Sequence, residues 1–74
     1  MTVEVRINKN HYHLIESDMQ KWLKENVGRG GWFNGETLHE HYDWGVWWCM
    51  GSGGVVLRDE VSAEKFRQWL AQLP

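Results

Sequence analysis

The 74-residue sequence contains one cysteine, one proline and no long apolar run. A single cysteine, Cys49, cannot form an internal disulfide, so nothing in the sequence argues for an oxidising compartment. No stretch approaches the roughly 20 apolar residues of a membrane-spanning helix, and the start of the chain lacks the apolar core of a secretory signal. We therefore expect a cytoplasmic protein without membrane association, folded as a single domain over residues 1–74.

An excess of basic residues is also missing. Eight lysines and arginines stand against ten aspartates and glutamates, which gives a formal net charge of −2. Proteins that bind nucleic acid non-specifically draw most of their affinity from neutralising phosphates. The charge balance therefore favours a protein partner over a nucleic acid.

Tryptophan, in contrast, is abundant, with six residues in the chain. A small domain has a thin core, and large aromatic side chains bury the most area per position, about 150–250 Å² each. We therefore predict that most of the indoles are core residues and that one or two are exposed. The aromatic and leucine positions assigned to the core are Trp22, Trp44, Trp48, Trp69, Phe66 and Leu70.

Two helices are predicted from periodicity and capping signals. Residues 17–27 carry an apolar stripe at helical spacing, begin with a capping box from Ser17 to Gln20, and are followed by Gly28 as a terminator. If this helix starts earlier, Leu14 and Ile15 join the same stripe.

The second helix is predicted over residues 63–73. Ser62 is expected to be its N-cap, and Val61 and Phe66 are expected to form a hydrophobic staple around that cap.

Strands are predicted where apolar and polar residues alternate. Residues 2–8 form the first, and the aromatic run within residues 36–50 forms the second, which places Trp44 and Trp48 on one face and Trp47 on the other. Residues 51–54 are then a hairpin loop, and residues 55–58 return as a strand. The predicted order is β-α-β-β-α, with one further short strand near Trp32 or Leu38.

These elements predict an α+β fold, a three- or four-stranded antiparallel sheet with two helices packed on one face. Nothing in the predicted elements covers the opposite face of the sheet. We therefore expect that face, together with the glycine-rich loop at residues 28–35, to bind a partner. The expected contact residues are Trp47, Trp32, Arg29, His39, His41, Asp43, Arg6 and Arg58.

Three interpretations of this surface remain open. The principal one is a non-catalytic module that binds another protein, and homodimerisation through the same face is one form of it. A second is a single-stranded nucleic-acid-binding domain that stacks bases on exposed aromatics. A third is a small metal-binding protein that uses the row His39, His41 and Asp43.

No feature predicts catalysis or a cofactor. Cys49 follows two tryptophans, a setting typical of a packed and unreactive thiol. The glycines at residues 51–54 lack the lysine and the following helix of a phosphate-binding loop. We therefore expect no catalytic residues, no bound cofactor and no enzymatic activity.

One part of the chain has a family resemblance. An aromatic strand, the run Val-Val-Leu-Arg-Asp-Glu and a helix with Ala63 and Phe66, all between Trp44 and Leu70, resemble small uncharacterised α+β proteins of tailed bacteriophages. The resemblance implies a viral origin and, for a viral protein, the cytoplasm of the host. It also implies binding to a host protein that is modulated or disabled, in host takeover or in defence against host immunity.

Overall fold

The computed structural model describes residues 2–73. It contains one four-stranded sheet with two α-helices packed on one of its faces. In chain order the elements are strand β1 (Val3–Arg6), a 3₁₀ helix (Lys9–Leu14), a π-helical turn (Ile15–Met19), helix α1 (Gln20–Asn26), strands β2 (Gly30–Trp32), β3 (Trp44–Cys49) and β4 (Ser52–Leu57), and helix α2 (Glu60–Ala71). The predicted α+β class is confirmed.

The sheet has the strand order β1-β4-β3-β2. Strand β4 pairs antiparallel with β3, as the predicted hairpin requires, and it also pairs antiparallel with β1, which agrees with the antiparallel sheet predicted. Strand β2 is the additional short strand expected near Trp32, but it pairs in parallel with β3, so the sheet is mixed and the expectation of a wholly antiparallel sheet is wrong for this pair. The reason is the long connection at residues 33–43, which leaves β3 starting beside Gly30 instead of turning back from Trp32.

The core lies between the sheet and the two helices. Trp44 and Val46 of β3 are fully buried there, as the alternation predicted. Trp22 of α1 stacks on Trp69 of α2, with ring centroids 5.4 Å apart. The buried cluster on this face comprises Val5, Ile7, Ile15, Met19, Leu23, Trp44, Val46, Val55, Leu57, Ala63 and Phe66, and Trp22, Trp69 and Leu70 pack against it partly buried.

The start of the first helix differs from the prediction. Neither the π-helical turn nor α1 has a side-chain cap at its N-terminus, so Ser17 does not form the expected capping box. Instead the apolar stripe extends backwards, because Ile15 and Met19 are fully buried and continue the stripe from Leu23. Burial of these side chains, rather than a polar cap, sets where the helical segment begins. Gly28 ends it with a positive φ, as predicted.

The hairpin between β3 and β4 is tighter than predicted. The turn is only Met50–Gly51, and β4 starts at Ser52, so three residues of the expected loop are paired strand residues. Glycine suits positions 53 and 54 of the strand because tryptophan side chains of β3 lie directly over both. A Cβ on Gly53 would meet the Trp48 Cβ at 3.2 Å, and one on Gly54 would meet the Trp47 Nε1 at 3.0 Å.

Helix α2 begins three residues earlier than predicted. Its N-cap is Asp59, whose carboxylate accepts a hydrogen bond from the Ser62 backbone N–H at 2.8 Å, so Ser62 is inside the helix. Val61 is 70% exposed and makes no staple with the buried Phe66. Aspartate and serine are both favourable N-cap residues. With Asp59 as the cap, Ala63 lies within the helix and is buried against the core.

The Asp59 cap predicts a pH dependence of stability. Hydrogen bonds from Ser62 lower the pKa of Asp59 below its ordinary value. The folded state therefore binds the proton less readily than the unfolded chain, and the cap's contribution is present above about pH 4 and lost as the pH falls through the lowered pKa.

We expect the difference in melting temperature between the wild type and Asp59→Ala to shrink as the pH is lowered from 7 to 2. Asp59→Asn is the matched control, because asparagine caps without titrating. Its advantage over Asp59→Ala should not vary with pH. A wild-type advantage over Asp59→Ala that stays constant down to pH 2 contradicts the assignment.

Candidate functional site

The face of the sheet away from the helices is not bare, contrary to the sequence-based expectation. Residues 33–42 cross it. Leu38 of this segment is only 8% exposed, and Val56 of β4, on the face that the segment covers, is only 5% exposed. The close approach depends on Gly45 of β3, where an added Cβ would lie 3.0 Å from Leu38 Cδ1 and 3.2 Å from Phe33 Cβ. The connection between β2 and β3 thus serves as the missing cover for the centre of this face.

Arg58, an expected contact residue, holds this covering segment in place. Its Nη2 donates hydrogen bonds to the carbonyl oxygens of His39 at 2.7 Å and Tyr42 at 2.6 Å. Its backbone N–H donates to the Asp43 carbonyl oxygen at 2.9 Å. The guanidinium is therefore engaged within the chain.

Trp47 lies on this same face, partly buried, among charged residues of β1. Its Nε1 donates to Glu4 Oε2 at 3.1 Å, and the guanidinium of Arg6 lies over its ring, 5.4 Å from the centroid. Arg6 is in turn paired with Glu4 at 3.4 Å. The structure thus brings the expected contact residues Trp47 and Arg6 together, but each is already partnered by the other and by Glu4.

The predicted row of His39, His41 and Asp43 is not formed, because β3 starts only at Trp44. The two imidazole rings are neighbours with centroids 5.3 Å apart, and His39 Nδ1 accepts a hydrogen bond from the His41 backbone N–H at 3.1 Å. The Asp43 carboxylate instead accepts from the backbone N–H of Arg29, the residue before β2, at 3.2 Å.

A metal site at this row would need a third ligand. Between residues 2 and 73 no group of three or more histidine, cysteine, aspartate or glutamate side chains is placed to hold a metal ion. The Asp43 side chain that was expected to complete the set lies beside Gly28. The geometry therefore gives the metal-binding interpretation no support.

The most exposed aromatic surface is formed by Trp32 and Trp48. These side chains are 56% and 46% exposed, and their rings meet edge to face with centroids 5.1 Å apart. Trp48 was expected in the core, and that prediction is wrong. It does lie on the core side of β3, as the alternation requires, but at the end of the strand beside Ile15 and Gly53, where the cover from the helical layer ends.

A groove runs beside Trp48. It has a volume of about 330 Å³ and is lined by Tyr12 and His13 of the 3₁₀ helix, Glu16 of the π-helical turn, and Trp48. We call the five side chains Tyr12, His13, Glu16, Trp32 and Trp48 the indole groove. Trp32 and Arg29 were expected contact residues of the glycine-rich loop, and of these only Trp32 belongs to the groove.

Two kinds of polar group in the indole groove are free to bind a ligand. Among residues 2–73, the indole N–H groups of Trp32 and Trp48 donate no hydrogen bond, whereas those of Trp44 and Trp47 do. The Glu16 carboxylate likewise forms no ion pair with another described residue. The groove thus offers apolar rings, two hydrogen-bond donors and one negative charge.

Sequence reasoning missed Tyr12, His13, Glu16 and the exposure of Trp48. The only signal in the sequence was the length of the predicted β3–β4 hairpin. The end of such a hairpin extends past the part of the sheet that a short helical layer can cover. Met50, at the tip of that hairpin, is 98% exposed.

Comparisons with known proteins add no family to these observations. A scan of protein-family models, a search of curated proteins and a search of solved structures found no match. The resemblance to bacteriophage proteins therefore stays a prediction. Within residues 2–73, no helix has the length and apolar character needed to cross a membrane.

Proposed function

We propose that this protein is a non-catalytic interaction module that binds another protein through the indole groove. The observation that carries the proposal is the pair of adjoining indoles, Trp32 and Trp48, each exposed by about half and each with an N–H group that has no acceptor among residues 2–73. Tryptophan is among the residues that dominate binding energy at protein interfaces, because it buries a large rigid ring and donates a hydrogen bond.

Charge favours a protein over a nucleic acid at this site. The ionised side chain that lines the groove is the acidic Glu16, which would repel phosphates. Two of the arginines expected to contact a partner are used elsewhere, since Arg6 lies over Trp47 and Arg58 holds residues 39–42. A single-strand binder needs cations along the path of the backbone, and this groove does not offer them.

The class of partner follows from the resemblance described above. A small bacteriophage protein acts in the cytoplasm of its host, so a host protein whose activity is modulated is the partner that the resemblance implies. This part of the proposal rests on the likeness of residues 44–70 alone.

A random peptide library displayed on a carrier and selected on the immobilised protein tests the site. We expect enriched peptides to bind the wild type and to lose at least tenfold in affinity on Trp48→Ala and Trp32→Ala, since buried tryptophans are typical hot spots. Trp47→Ala is the matched control, because Trp47 is the neighbouring residue of β3 on the opposite face, and we expect it to retain binding.

Two results would contradict the proposal. One is a selection that yields no peptide with affinity for the wild type. The other is a set of peptides that bind Trp48→Ala undiminished and lose affinity only on Trp47→Ala, which would assign binding to the face with Arg6 and Glu4. Binding of oligo-dT that weakens steeply between 50 and 200 mM salt would favour the nucleic-acid interpretation instead.

A further inference from the structure

We infer that the indole groove binds an extended, proline-rich peptide segment that carries a lysine or arginine next to Glu16. This inference rests on the proposed function and names the ligand class for the same site.

The shape of the groove suits a polyproline II helix. Trp48 and Tyr12 line the groove together, so it has an aromatic side chain from β3 and one from the 3₁₀ helix. Trp32 lies outside this lining, but it meets Trp48 at an interplanar angle of 72° and extends the aromatic surface beside the groove. Proline rings pack well against such faces, and grooves lined by aromatic residues are the common means of binding proline-rich segments. A polyproline II segment is also extended before it binds, so little conformational entropy is lost.

The free donors complement the backbone of such a segment. A polyproline II helix has no internal hydrogen bonds, so its carbonyl oxygens remain available as acceptors. The Nε1–H groups of Trp32 and Trp48 are donors without an acceptor among residues 2–73. An α-helical ligand would present no free carbonyl oxygens along its length to these groups.

The charge at the groove determines the side chain expected beside the prolines. Glu16 is exposed, lines the groove and pairs with no cation among the described residues. A lysine or arginine on the ligand would supply that cation, and a carboxylate there would be repelled. His13 also lines the groove and offers a further polar contact.

The size of the exposed patch favours a short segment over a second copy of this chain. An indole buries about 150–250 Å² when it is fully covered, so two half-exposed indoles offer roughly 200 Å² in total. A stable interface between folded proteins needs about 800 Å² on each partner. A peptide of a few residues can be bound by these two indoles alone, whereas a homodimer would have to bury roughly 600 Å² of further surface on each copy.

A peptide titration monitored on the indole N–H signals of the ¹⁵N-labelled full chain tests the inference. The probe is the synthetic peptide acetyl-Ala-Pro-Pro-Leu-Pro-Pro-Arg-Ala-amide. We expect the signals of Trp48 and Trp32 to shift in a saturable manner, while those of Trp44 and Trp47, which already have acceptors, stay in place. Replacing the prolines by alanine should weaken binding at least tenfold.

A charge exchange gives the sharper control. Replacing the peptide arginine by glutamate should weaken binding to the wild type about two- to fivefold, as expected for an exposed ion pair. Glu16→Lys should reverse that preference. Glu25→Lys, on α1 outside the groove lining, changes net charge equally and should leave the preference unchanged.

The two hypotheses fail in different ways. Library peptides that bind at Trp48 but lack proline, together with no shift on adding the proline peptide, would overturn this inference and leave the proposed function intact. An absence of any peptide that binds at Trp48 would overturn both. Dimerisation that depends on Trp32 and Trp48 would replace the peptide by a second copy.

Discussion

Trp44→Ala is expected to lower the free energy of unfolding by about 3–5 kcal/mol, as is typical when a fully buried aromatic side chain is truncated. Trp44 has no exposed surface, and its Nε1 donates a hydrogen bond to the Gly28 carbonyl oxygen at 2.8 Å. The substitution would leave a cavity beneath β2 and a carbonyl without its donor. A domain of this length has a total stability of only about 4–11 kcal/mol, so at least about a quarter of it, and up to all of it, would be lost.

Urea denaturation followed by circular dichroism measures this effect. The matched control is Trp48→Ala, which removes the same side chain from the same face of the same strand where it is 46% exposed. We expect the control to lose about half as much, because roughly half of the Trp48 surface is in water already. Equal losses for the two variants would show that Trp44 is not the buried member of the pair.

Gly30→Ala is expected to be the second most damaging substitution, with a cost of about 3 kcal/mol. A Cβ at Gly30 would overlap the Trp44 ring and would lie 2.5 Å from the Trp44 carbonyl oxygen. The backbone atom cannot move aside without breaking the parallel pairing of β2 with β3. The substitution should therefore detach β2 and displace Trp32, which weakens peptide binding at the indole groove as well.

Gly31→Ala is the matched control for this prediction. Its nearest neighbour would be the Tyr42 hydroxyl at 3.1 Å, the end of a side chain that can shift by a small amount. We expect a change in the free energy of unfolding below about 1 kcal/mol, the usual range for substitutions without a buried clash. Thermal melting and peptide affinity measured on both variants check this. If Gly30→Ala has the same melting temperature as the wild type, β2 does not pack closely on Trp44.

The alternation of β1 and β3 could be predicted from the sequence because it follows from strand geometry alone. Side chains two residues apart share a face, so Trp44 was assigned to the core correctly, and Val46, which has the same parity, is buried beside it. The cap of α2 was less predictable. Asp59 and Ser62 both favour an N-cap, and only the packing of Ala63 and Phe66 on the sheet selects between them.

The candidate site was predicted in part. Trp32 was correctly expected outside the core, but its partner Trp48 was assigned to the core because its parity is that of Trp44. Parity gives the face of a residue and says nothing about how far along the strand the helical cover reaches. Glu16 and Tyr12 carry no local signal, since they join Trp48 only after the helical segment packs on the sheet.

Composition and periodicity alone therefore determined the α+β class, the two amphipathic helices and the inward-facing residues, since each depends on repeats of two to four residues within one segment. Tertiary structure decided the parallel pairing of β2, the covering of the second sheet face by residues 33–42, and the exposure of Trp48 beside Glu16. These features depend on contacts between segments far apart in the chain, where the position of a loop or the end of a helical layer is set by packing rather than by local pattern.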